Sequence, residues 1–126
     1  AARRCGLRNE ILSEGLKITT MKKRIYISAP ITGYYLCERK KFFEQKEEEI
    51  IKLGHTPVSP MKNGLPYDAP LCDHLKVDTQ MLLTCDEIWF YGNVCESKGC
   101  KFEWRTAYAC GITRRYFDQE KTPLAK

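Results

Sequence analysis

The chain has 126 residues, 43% of them hydrophobic and 29% charged, which is the size of one domain with its own core and excludes wholesale disorder. A net charge of +5 is too mild for the basic face of a nucleic-acid-binding module, so nucleic acid is not the expected partner. No run approaches the roughly 20 apolar residues of a membrane-spanning helix.

Residues 1–20 carry Arg3, Arg4, Arg8 and Lys17 against Glu10 and Glu14. They lack the apolar core of a secretory signal and read as an N-terminal extension or cloning remnant. Arg24 to Ala29 is short and β-rich, which predicts a central strand. Lys40 to Leu53 predicts a helix, with Phe42, Phe43, Ile50 and Leu53 on its apolar side and Glu44, Glu47, Glu48, Glu49 and Lys52 solvated. Gly54 stops it. His55 to Ser59 predicts a weak second strand. Residues 60–70, with Pro60, Gly64, Pro66 and Pro70, form a long loop. Leu71 to Cys85 predicts a second helix and Asp86 to Tyr91 a strong strand. After a loop at 92–98, Gly99 to Cys110 predicts a third helix, stopped by Gly111. Ile112 to Phe117 is the last strand, and 119–126 is a polar tail.

This alternation predicts an α/β domain over 21–118. Its architecture is three-layer and Rossmann- or flavodoxin-like, a parallel sheet of four to five strands with helices on both faces. Ligands in such folds bind beyond the carboxyl ends of the strands. That selects the loops at 30–36, 60–70 and 92–98.

The seven Cys are odd in number and form no Cys-x-x-Cys pair. They read as small buried hydrophobes in a reducing, cytoplasmic compartment rather than as disulfides or metal ligands. His55 and His74 make no metal-ligand spacing, so no metal and no cofactor is expected. The glycine signatures of dinucleotide and P-loop sites are missing.

Ser28-Ala29-Pro30-Ile31-Thr32-Gly33 follows the first strand, and Ser97-Lys98-Gly99-Cys100-Lys101-Phe102-Glu103 opens the third helix. Ser97 reads either as a plain N-cap or, with the free amides of the first turn, as part of an anion site. Glu103 shares a helix face with Ala107 and Cys110, so it lies at the rim of the core. There it is either a carboxylate nucleophile kept ionised by the helix dipole or a surface Glu that complements that dipole. Asp78 sits among Val77, Met81 and Leu82, where a carboxylate needs a partner or a purpose. Tyr26 faces opposite to Ile25 and Ile27 and presents its phenol either to a pocket or to ordinary strand packing.

Tyr26 in the first strand, Asp78 in the second helix, Cys85-Asp86-Glu87-Ile88, and Ser97-x-Gly99-x-x-x-Glu103-x-x-x-Ala107-x-x-x-Gly111 together resemble the nucleoside 2-deoxyribosyltransferase superfamily. The resemblance spans Met21 to Phe117 and is closest to a small bacterial and phage branch. It implies cleavage or transfer at the N-glycosidic bond of a 2′-deoxynucleoside or its 5′-monophosphate. In that reading Glu103 is the nucleophile, Asp78 lies by the sugar or the departing base, and Tyr26 orients Glu103. Ser28, Pro30, Gly33, Ser97, Lys98 and Gly99 are implied substrate contacts, with Ser97 at a position that touches the 5′-phosphate in the nucleotide hydrolases. The partners implied are a small nucleoside or nucleotide and further copies of the chain, as a homodimer or larger homo-oligomer. An ionised Glu103 beside a protonated Asp78 would suit the chemistry. The sequence departs from the superfamily after the first strand, where Pro30 to Tyr35 replaces a glycine-rich loop containing Arg. Trp104 reads as either an interface residue or helix packing. The alternative is a non-catalytic nucleotide-sensing module with the same pocket.

Overall fold

Ile25, Tyr26 and Ile27 alternate across a pleated strand, and each side meets a different helix layer. A computed structural model describes residues 21–118, so the readings of 1–20 and 119–126 lie outside the described residues. The elements in order are β1 (Arg24–Ser28), α1 (Leu36–Lys52), β2 (Thr56–Val58), α2 (Leu71–Leu83), β3 (Glu87–Tyr91), α3 (Lys98–Cys110) and β4 (Thr113–Phe117). Short 3-10 turns occupy Pro60–Lys62 and Val94–Glu96. The four strands are parallel in the order β2-β1-β3-β4.

The order explains the layers. The chain steps from β1 outward to β2, then returns past β1 to β3 and on to β4. Right-handed crossovers made in opposite directions put their helices on opposite faces. Ile25, Ile27 and Ala29 pack with Phe42, Phe43 and Ile50 of α1. Tyr26, Ile88 and Phe90 pack on the other face with Leu82 of α2 and Ala107 of α3. Ile25, Ile27, Ile50, Leu82 and Ile88 are completely buried, each contributing about 2 kcal/mol by removal from water.

Several expectations need correction. The helix α1 begins at Leu36, not Lys40, which carries Arg39 into the interior, where it is completely buried. Glu47 is buried rather than solvated, and Lys62 pairs with it at 2.9 Å. Leu53 is the helix C-cap and is exposed. Only Cys85 and Cys100 are buried among the described cysteines; Cys37, Cys72, Cys95 and Cys110 are exposed. The inner face of α3 is Cys100, Glu103 and Ala107, and it ends before Cys110. Gly111 ends α3 because its backbone is left-handed, with φ of 72°.

One buried carboxylate is purely structural. Glu87 accepts hydrogen bonds from Lys23, Arg115 and the Trp89 indole at 2.9, 2.9 and 2.8 Å. Burial alone would raise its pKa, but these donors outweigh burial and hold it at about 2. Among the described residues no helix is long and apolar enough to cross a membrane.

Candidate functional site

The order of strand addition reverses between β1 and β3, the central parallel pair of the sheet. In open α/β sheets that switch point leaves a crevice at the strand carboxyl ends. Ser28 is the last residue of β1 and pairs in register with Phe90 of β3. It shares its face with Tyr26, so both hydroxyls point toward α3.

Glu103 receives both of them. The Tyr26 phenol donates to Oε2 at 2.6 Å, and the Ser28 hydroxyl donates to Oε1 at 2.7 Å. All three side chains are buried, with Glu103 only 6% exposed. Each carboxylate oxygen keeps a further lone pair, so both hydroxyls can hold Glu103 while one oxygen attacks an electrophile. Cys100 Sγ lies 3.4 Å from Ser28 Oγ. Burial and the adjacent Glu103 push its thiol up to about 11, so it stays protonated.

Burial raises Glu103 to about 7 against the downward pull of the Tyr26 and Ser28 hydrogen bonds, and the neighbouring Asp78 adds to the rise. The expectation of a dipole-ionised Glu103 is corrected here. Glu103 stands six residues into α3, and the dipole effect fades within the first turn. Tyr26 is raised well above its ordinary value, first by burial and then by Glu103 and Asp78. It therefore remains a donor.

Asp78 is 8% exposed on the inner side of α2. Burial raises its pKa, opposed by a hydrogen bond from Asn63 and by the nearby His74. Asn63 Nδ2 donates to Asp78 Oδ1 at 2.8 Å. Asp78 acts electrostatically on both Glu103 and Tyr26, so the four residues form one cluster. Both carboxyls are thus raised, Glu103 as well as Asp78.

The remaining expected contacts lie in the segment after β1 and at the start of α3. Ser97 is the N-cap of α3, its hydroxyl accepting from the Cys100 amide at 3.2 Å. Lys98 is the exposed first residue of α3. At Gly99 a Cβ would meet Ser97 Oγ at 3.6 Å and Leu75 at 3.9 Å, which is ordinary contact, so packing alone does not demand glycine there. The Pro30 carbonyl accepts from Arg39 Nη1 at 2.8 Å. Gly33 has φ of 93° in the turn closed by the Tyr34 amide on the Ile31 carbonyl, a conformation that favours glycine.

Three residues escaped the sequence reading. Arg39 stacks on Tyr34 and Phe42, at 4.2 and 4.3 Å to the ring centroids, and supports the loop that follows β1. Its signal was the spacing 39, 42, 43, 46 and 50, masked by the Lys residues beside it. Asn63 and His74 reach Asp78 across a loop, and no periodicity encodes that contact. Trp104 donates to the Tyr116 hydroxyl at 2.7 Å and lies under Arg114, which is packing between α3 and β4. Among the described residues no three His, Cys, Asp or Glu side chains gather as a metal site.

A family model described as a domain of unknown function, DUF4406, matches residues 23–116. No curated protein matches the chain significantly. The fold is similar to the 2-deoxyribosyltransferase of Bacillus psychrosaccharolyticus, with a TM-score of 0.60 and 22% identity, covering 79% of this chain and 76% of that one. It is also similar to a 2-deoxyribosyltransferase from Leishmania mexicana, with a TM-score of 0.59 and 20% identity, covering 80% and 67%. These likenesses establish a deoxyribosyltransferase-like fold.

Proposed function

The chain belongs to the DUF4406 family, and from that premise we propose that it cleaves or transfers the N-glycosidic bond of a 2′-deoxynucleoside or its 5′-monophosphate. A shared fold does not fix a reaction, so the reading rests on one observation. Two hydroxyls, Tyr26 and Ser28, hold the buried Glu103 carboxyl beside a second buried carboxyl, Asp78.

The chemistry follows from those groups. A Glu103 oxygen attacks C1′ and forms a C–O bond. The C1′–N bond breaks, its electron pair goes to the base, and Asp78 gives that base a proton. The sugar passes through an oxocarbenium-like state, which a neighbouring carboxylate stabilises. Water, or a second base, then attacks C1′. This releases Glu103 and returns a proton to Asp78. Burial acts toward the protonated, donating form of Asp78, and Tyr26, held well above its ordinary value, orients Glu103. Burial raises Glu103 to about 7, and its ionised form is the nucleophile. Ser97, Lys98, Gly99 and the amides of the first turn of α3 support a 5′-phosphate contact.

The test is chromatographic release of free base from a panel of deoxynucleosides and their monophosphates, with wild type and Glu103→Ala side by side. Release lost in the variant supports the reading. The other reading, a nucleotide-binding module without turnover, is favoured by the protonated fraction of Glu103. Binding without release across the panel would establish it.

A further inference from the structure

Asn63 is the C-cap of the Pro60–Lys62 turn, in the loop between β2 and α2. Its three contacts determine which way its amide faces. Oδ1 accepts from the Leu65 amide at 3.0 Å. That amide can only donate, so the oxygen must face it. Nδ2 then carries two protons toward two acceptors: Asp78 Oδ1 at 2.8 Å and His74 Nδ1 at 3.0 Å. In its neutral form His74 must therefore accept at Nδ1 and carry its proton on Nε2, which lies 3.3 Å from the Tyr67 carbonyl. His74 and Asp78 are one turn apart on α2, so loop and helix are joined at both levels.

We propose that Asn63 is a positioning residue for Asp78, itself oriented by His74, and that the 60–70 loop is the scaffold that aims this carboxyl. The inference rests on the reading of Asp78 as the proton donor to the leaving base. Its consequence is stereochemical. A carboxylic acid that accepts at Oδ1 carries its proton on Oδ2. Among the described residues Asn63 is the one hydrogen-bond donor to Asp78, so Oδ2 is the oxygen left for the substrate. Asn63 thereby chooses the donating atom and fixes its direction.

Two measurements on the full chain test this without depending on turnover. Long-range nitrogen–proton correlation spectra read the neutral His74 tautomer. The expected result is a proton on Nε2, and a proton on Nδ1 would overturn the proposal. Carbon-detected titration of the Asp78 carboxyl is then compared in wild type, Asn63→Ala and Asn63→Asp. Loss of the donor should move the Asp78 midpoint upward in both variants, and an unmoved midpoint would also overturn it. If either variant fails to fold, the wild-type tautomer still decides. Where base release is observed, Asn63→Ala should lower kcat roughly 10- to 100-fold with KM little changed. If wild type releases no base while the tautomer and titration behave as stated, the glycosidic reading fails and the positioning of Asp78 stands.

Discussion

Glu103→Gln replaces a buried acid with a neutral side chain of the same shape, and its effect on stability should depend on pH. The amide oxygen can accept from one hydroxyl while the amide nitrogen donates to the other, so packing and both polar contacts survive. In the folded chain Glu103 titrates at about 7, against 4.5 for an ordinary Glu. The folded state therefore holds this proton more tightly than the unfolded chain. Below pH 4.5 both states are protonated, and the full contribution to stability is present. Between 4.5 and 7 the unfolded chain loses its proton first, and stability falls. Above 7 the loss is complete. At 1.36 kcal/mol per pH unit the interval amounts to about 3 kcal/mol. That is a large part of the 5–15 kcal/mol typical of a domain. Urea denaturation of wild type and Glu103→Gln from pH 4 to 9 measures it, since other titrating groups largely cancel in the difference. The variant should gain about 3 kcal/mol on wild type as pH rises through the window. Parallel curves would refute the claim that burial controls this carboxyl.

Tyr26→Phe removes the 2.6 Å donor to Glu103, so Glu103 should titrate still higher and the acidic limb of base release should move to higher pH. The same variant should lose about 2 kcal/mol of stability above pH 7, where the lost bond is to a charged acceptor, and less at pH 5. Ser97→Ala removes the α3 N-cap and should cost about 1 kcal/mol in urea with an unchanged m-value; a phosphate contact would also raise KM for monophosphates but not for nucleosides. Glu87→Gln tests the opposite sign. Glu87 is depressed from 4.5 to about 2, so its contribution is present above pH 4.5 and lost as pH falls through 2. The half-exposed Lys23 and Arg115 side chains reduce it to about 1–2 kcal/mol, read as a higher acid-unfolding midpoint in the variant.

The fold was legible because the short β-rich runs of β1 and β3 and the glycine stops after α1 and α3 are local signals. Tyr26 and Glu103 could be placed because strand parity and helix phase determine a facing side. That Ser28 joins Tyr26 on Glu103 follows from the same parity, yet the sequence suggested Ser28 only as a substrate contact. The state of Glu103 was misjudged because burial is a tertiary quantity, while the dipole is visible in the chain. Glu47 looked solvated because charge on a helix usually is, and Arg39 fell outside the predicted helix; a buried cation stacked on Phe42 and Tyr34 requires the loop to fold back over it. Asn63 and His74 depend on how the 60–70 loop closes on α2, a geometry set by its prolines and turns and not by any repeat.

The central claim is a covalent bond between Glu103 and the sugar. Its most direct test is rapid quenching of the chain with a deoxynucleoside or its monophosphate, followed by intact-mass and peptide mass spectrometry. A mass increase equal to the deoxyribosyl group, with its phosphate where present, on the peptide containing Glu103 and absent in Glu103→Ala is the predicted result. Base release that continues undiminished in Glu103→Ala, with no adduct on the wild-type peptide, would contradict it.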